Sequence, residues 1–116
     1  DLFAGEVADH DVWIVDDMIE SGETMLRASE ACRVRGARSV HLLATHAFSD
    51  AAAVKRLLDS AITSLTFTDT AVTIAPAIPD PRIHMLSVAQ MIGRCLARMH
   101  NGQAISPILD PTGASG

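Results

Sequence analysis

The run Val12-Trp13-Ile14-Val15 ends on two carboxylates, Asp16 and Asp17, and leads through Ser21-Gly22-Glu23-Thr24 into a helical pattern. Four consecutive apolar residues offer no polar face to water, so they read as a strand buried on both faces, of the kind found in parallel sheets covered by helices. In such sheets ligands sit beyond the carboxyl ends of the strands, which places Asp16 and Asp17 at a crevice. Adjacent carboxylates repel and are costly to bury together. They call for hydroxyl donors, a metal ion or water. The turn that follows is built of small residues, and its backbone N–H groups and hydroxyls, backed by the positive end of a helix, suit an anion. Gly22 lets the backbone approach that anion closely. A ligand with vicinal hydroxyls and a phosphate, such as ribose 5-phosphate, satisfies both halves. Two other readings of the same residues stay open here. One is an ordinary strand-to-helix turn with Thr24 as a cap; the other is a receiver-type acidic pocket, which accounts for the acids but not the turn.

The rest of the chain repeats the strand-helix-strand pattern. Met25, Leu26, Ala28, Ala31, Cys32 and Val34 recur at helical spacing and Gly36 marks the end of that helix. Ser39 to His46 reads as a second buried strand, so the two strands form a right-handed parallel crossover. Asp50 to Ser60 predicts a short helix, and Ser64 to Thr70 a strand ending in Thr-Asp-Thr. His46 and Asp69 stand at strand ends that face the same crevice, though a histidine at a strand end is more often structural and Asp69 reads at least as well as a turn-forming residue. Pro76, Pro79 and Pro81 make Ala71 to Arg82 a connecting loop. Ile83 to Val88 predicts a fourth strand, Val88 to His100 an amphipathic helix closed by Asn101-Gly102, and Leu2 to Val7 a short edge strand.

Composition removes several function classes. With 116 residues and 48% hydrophobic content the chain can build one core. A net charge of -5 without a Lys/Arg cluster argues against a nucleic-acid surface or a polybasic membrane contact. No apolar stretch is long enough to span a bilayer, and the start lacks the basic and apolar pattern of a secretory leader. Cys32 and Cys95 are far apart and outside any C-x-x-C, so they read as reduced thiols of a cytoplasmic protein. The chain begins at Asp1 rather than Met.

The stretch Asp16-Asp17-Met18-Ile19-Glu20-Ser21-Gly22-Glu23-Thr24 resembles the ribose-phosphate loop of type I phosphoribosyltransferase folds, in the form found in ribose-phosphate pyrophosphokinases (phosphoribosyl pyrophosphate synthetases). The resemblance implies that Asp16 and Asp17 hold ribose hydroxyls while Glu20, Ser21, Gly22, Glu23 and Thr24 wrap the 5-phosphate. Glu23 stands where the family has Gly, which implies weaker phosphate binding unless the carboxylate turns away. Leu86-Ser87-Val88-Ala89, the helix through Ile92-Gly93-Arg94 to His100-Asn101-Gly102, and Ser106 are similar to the carboxyl-terminal end of the pyrophosphokinases. General phosphoribosyltransferases share the acidic loop but not that ending.

Running from about Leu2 to Leu109, the resemblance implies a phosphoribosyltransferase-like domain over 1–109, the C-terminal half of a pyrophosphokinase, with 110–116 a disordered tail. The expected fold is three-layer α/β, a mostly parallel sheet of about four to five strands flanked by helices. The implied reaction moves the diphosphoryl group of ATP onto ribose 5-phosphate, giving phosphoribosyl pyrophosphate and AMP, with Mg2+ and in a homo-oligomer. In the family the catalytic Lys and Arg and the metal-binding His and Asp precede the matching portion. No catalytic residue or metal ligand is therefore assigned, and the chain alone is expected to be inactive. The alternatives are a phosphoribosyltransferase and a non-catalytic pyrophosphokinase-associated regulatory subunit. Glu23, and Ser49 without the family's neighbouring glycines, favour the latter.

Overall fold

The computed structural model describes residues 5–47, 51–71 and 78–109. Eight elements follow in order: β1 (Asp11–Ile19), α1 (Glu23–Val34), β2 (Ser39–Ala47), α2 (Ala51–Asp59), β3 (Ser64–Thr68), β4 (Ile83–Leu86), α3 (Ala89–His100) and α4 (Ser106–Leu109). The strands form one sheet in the order β1-β2-β3-β4, and every pairing is parallel. This is the α/β arrangement of four parallel strands and helices that the strand-helix alternation predicts.

Parallel neighbours need a crossover, and right-handed crossovers of sequential strands put their helices on one face. Val40, Leu42 and Ala44 of β2 and Leu65 and Phe67 of β3 are buried in one cluster with Met25 and Cys32 of α1 and Val54, Leu57 and Leu58 of α2. Val12 and Ile14 of β1 pack against its margin. Each Leu so enclosed contributes about 1.5–3 kcal/mol relative to exposure, enough to set the strand register. Burial also pushes the Cys32 thiol up from its ordinary pKa, consistent with an unreactive core thiol. α1 stops where Gly36 turns left-handed (φ 84°): the Gly36 amide donates to Arg33 O at 3.0 Å and the Ala37 amide to Cys32 O at 3.1 Å.

The residues group into two compact units, divided between Leu86 and Ser87. In the second, α3 ends as α1 does, with Gly102 at φ 67° and the Gln103 amide donating to Arg98 O at 2.8 Å. No residue of α3 is buried; Met91, Ile92, Leu96 and Met99 are exposed. The short α4 was not anticipated from the sequence.

Several expectations need correction. β1 is not buried on both faces: Trp13 is 57% and Val15 67% exposed, so only its Val12 and Ile14 side joins the core. Val34, assigned to the apolar stripe of α1, is 89% exposed. β1 extends beyond the aspartates to Ile19, while β3 and β4 stop at Thr68 and Leu86. Residues 5–7 of the expected first strand form none. Leu2–Ala4, Ser49, Asp50, residues 72–77 of the proline loop and the expected tail 110–116 lie outside the described residues.

Candidate functional site

Alternation along β1 puts Val12, Ile14 and Asp16 on the side that meets the core, and Asp16 is half-buried. Beyond it the period slips. The ladder passes from Asp16↔Ala44 to Met18↔His46, and the next residues to be buried are Ile19 and its partner Ala47. The two strand ends turn together, which leaves Asp17 and Met18 exposed at the rim. Asp16 Oδ1 accepts the backbone N–H of Asp17 at 2.8 Å.

The turn after β1 is held from below. Gly22 adopts φ 73°, ψ -1°, a conformation that disfavours any residue with a Cβ. A Cβ there would stand 3.1 Å from Cγ and Cδ1 of Leu57, so the glycine serves both the turn and its seating on α2. The Gly22 carbonyl accepts the Leu26 amide at 2.9 Å, the first bond of α1. Gly22 therefore caps the helix without a side chain, and Thr24 lies inside the helix rather than at its cap. Ser21 Oγ accepts the Glu23 amide at 3.3 Å.

Asp16, Asp17, Glu20, Ser21, Gly22, Glu23 and Thr24 all line one pocket of about 320 Å³, together with Met18, Ile19 and Met25. That volume lies in the range of small-molecule sites, about 300–1,000 Å³. All seven residues expected from the sequence are thus brought together, and the three apolar ones were not foreseen. Glu23 is directed along α1: its Oε1 lies 3.9 Å from Arg27 Nε, an exposed pair one helical turn apart. Arg56 of α2, itself exposed, donates Nη2–H to the Ser21 carbonyl at 3.1 Å. Nothing in the local sequence marks it, because the contact spans two crossover units.

The other strand-end candidates, His46 and Asp69, have separate partners. The His46 Nδ1 lies 2.6 Å from Thr70 Oγ1, and both Thr68 and Thr70 hydroxyls donate to Thr45 O, at 2.6 and 3.1 Å. Asp69 donates its backbone N–H to Leu86 O at 3.1 Å. At the opposite, amino end of the sheet a second polar cluster forms. The Asp11 carboxylate accepts Arg38 Nε–H at 2.9 Å, a second Arg38 N–H, and the Ser39 hydroxyl at 2.6 Å. Ser39 Oγ meets His41 Nε2 at 3.1 Å, His41 Nδ1 meets Ser64 Oγ at 2.8 Å, and the ring stacks on Trp13 with centroids 4.5 Å apart. The described residues contain no group of three His, Cys, Asp or Glu side chains placed to hold a metal ion. No described helix is long and apolar enough to cross a membrane.

Residues 2–109 match the family described as phosphoribosyl synthetase-associated domain. The chain is 36% identical over 106 residues to a ribose-phosphate pyrophosphokinase of Haemophilus influenzae, covering 91% of this chain and 34% of that protein. It is 31% identical over 111 residues to ribose-phosphate pyrophosphokinase A of Dictyostelium discoideum, covering 96% and 35%. The fold is similar to that of phosphoribosylpyrophosphate synthetase from Mycobacterium smegmatis, with a TM-score of 0.79 and 25% identity over 85% of this chain and 33% of that one. The chain spans about one third of the length of these relatives.

Proposed function

The chain belongs to the phosphoribosyl synthetase-associated domain family, and from that premise we propose that its pocket is the ribose 5-phosphate seat of a ribose-phosphate diphosphokinase. The observation that carries this reading is the convergence of all seven residues of the acidic loop on one pocket. Asp16 and Asp17 accept hydrogen bonds from the ribose hydroxyls. The amides at the start of α1, the Ser21 and Thr24 hydroxyls and the positive helix end receive the 5-phosphate. Glu23, in the place of a family glycine, is compatible because its carboxylate is exposed and turned along the helix toward Arg27.

In the complete enzyme the reaction takes the diphosphoryl group of ATP to the anomeric hydroxyl of the bound sugar. Such transfers rest on positioning and charge neutralisation. This chain supplies the positioning. Mg2+ commonly binds one or two carboxylates plus substrate oxygens, and the exposed Asp17 fits that habit as a single ligand beside bound substrate. When bound, the ion would neutralise charge on the diphosphoryl oxygens. The reading extends to a cytoplasmic protein that self-associates or meets a companion domain, supported by the exposed Trp13, Val15, Met85 and Leu86.

Titration calorimetry with ribose 5-phosphate, ribose and inorganic phosphate tests it. Ribose 5-phosphate is expected to bind more tightly than either half, and equal affinities for all three would overturn the assignment. No phosphoribosyl pyrophosphate is expected when this polypeptide by itself is given ATP and ribose 5-phosphate; its formation would refute the division of labour. A non-catalytic associated subunit is the second reading, favoured by Glu23. It predicts weak phosphate binding by the natural chain and recovery in Glu23→Gly.

A further inference from the structure

We propose that Arg56 is a positioning residue that latches the Ser21–Gly22 peptide so that its N–H, not its carbonyl, is presented to an anion. The inference rests on the proposed ribose 5-phosphate site and adds to it a residue from a different element. Arg56 Nη2 donates to Ser21 O at 3.1 Å. In a planar trans peptide the carbonyl and the next N–H point in opposite directions, so a carbonyl held toward α2 turns the Gly22 N–H away from α2. Gly22, without a Cβ and at φ 73°, lets the Ser21–Gly22 peptide before it turn over at lower cost than any other residue would, while its own carbonyl stays bound to the Leu26 amide. Without the latch that peptide can turn over and aim carbonyl lone pairs at the phosphate position. Leu57, the neighbour of Arg56, fixes the same point from below: it would meet a Cβ on Gly22 at 3.1 Å. Two consecutive residues of α2 therefore set the loop, one by shape and one by a charged hydrogen bond. The guanidinium also brings a positive charge beside a loop that carries Glu20 and Glu23.

Arg56→Met and Arg56→Lys, compared with the natural chain, separate this role from a structural one. Ribose 5-phosphate affinity is expected to fall about tenfold in Arg56→Met, the scale of one charge-assisted hydrogen bond, with ribose affinity and melting temperature unchanged. Arg56→Lys should recover much of the loss. An equal loss for ribose and ribose 5-phosphate, or unchanged affinity for both, would overturn the latch. Backbone amide NMR of the unliganded chain tests it independently: Arg56→Met should shift or broaden the Gly22 resonance and leave those of β3 in place. If the natural chain binds no ribose 5-phosphate but Gly22 responds in this way, the functional reading falls and the latch stands. A Gly22 resonance indifferent to Arg56 removes the latch whatever the chain binds.

Discussion

The two ends of β1 carry the same side chain and use it differently. Asp11, at the amino end, is saturated by Arg38 and Ser39, and the cluster continues through His41 to Ser64. Asp16, near the carboxyl end, accepts the amide of its own neighbour, and among the described residues no ion pair involves Asp16 or Asp17. The difference follows from parallel topology. Amino ends of strands receive the chain from helix C-termini, where Arg38 and Ser39 arrive side by side with Asp11. Carboxyl ends open onto helix N-termini, whose groups are amide donors and whose field favours an anion. Hydrogen-bonding capacity is used internally at one end and, on the proposed reading, kept for a ligand at the other.

Changing both acids at the carboxyl end should have the largest effect. Asp16→Asn with Asp17→Asn removes two anionic acceptors, each worth about 1.5–3 kcal/mol to a hydroxyl donor, so ribose 5-phosphate affinity should drop at least a hundredfold on that scale. The melting temperature should hold. A lower melting temperature with intact binding would invert the contrast between the two ends. Gly22→Ala comes next, because it combines left-handed strain of about 1–2 kcal/mol with a contact to Leu57 that must give way. Denaturant unfolding should register that loss, and titration should show weaker binding; a variant as stable as the natural chain would mean that the turn readily adopts another shape.

The smallest effect belongs to Asp11→Asn, and it should appear in the pH dependence. Hydrogen bonds from Arg38, then from Ser39, hold the Asp11 carboxyl well below the usual carboxylate range. A depressed folded-state pKa adds stability above the unfolded value, about 3.9, and that stability is lost as pH falls through the folded one. Acid unfolding of the natural chain should therefore steepen below about pH 4, and Asp11→Asn should flatten that part of the curve. Asp80, lowered to about 2 chiefly by its side-chain hydrogen bond to Arg82, acts with the same sign. Asp11 is exposed and Asp80 half-buried, so salt should weaken the Asp11 contribution more than that of Asp80. Ribose 5-phosphate binding at pH 7 should not respond to Asp11→Asn; a response would mean that the two ends are coupled.

Much of the site was legible because it is contiguous. A strand end, an acidic pair and a small-residue turn into a helix occupy one stretch, Asp16 to Thr24, so spacing alone brings them together. The details that escaped depend on neighbours. Val12 to Val15 look alike whether one face of the strand is covered or two, and the exposure of Trp13 and Val15 follows from which elements lie over them. The slip of alternation beyond Asp16 belongs to β1 and β2 jointly, since Ile19 and Ala47 become buried as a pair. Thr24 has the chemistry of a cap, but Gly22 already closes the first turn from its backbone.

What the sequence determined by itself was local: the run of strands and helices from β1 to α3, the left-handed glycines that end α1 and α3, and the contiguous acidic loop. These depend on periodicity and backbone sterics, which act over a few positions. Tertiary structure decided which face of β1 is covered, where the carboxylate of Asp16 sits against the core, and that an arginine 35 residues from Ser21 holds its carbonyl. Such outcomes depend on packing and on distances across the sheet, which no single stretch of the chain contains.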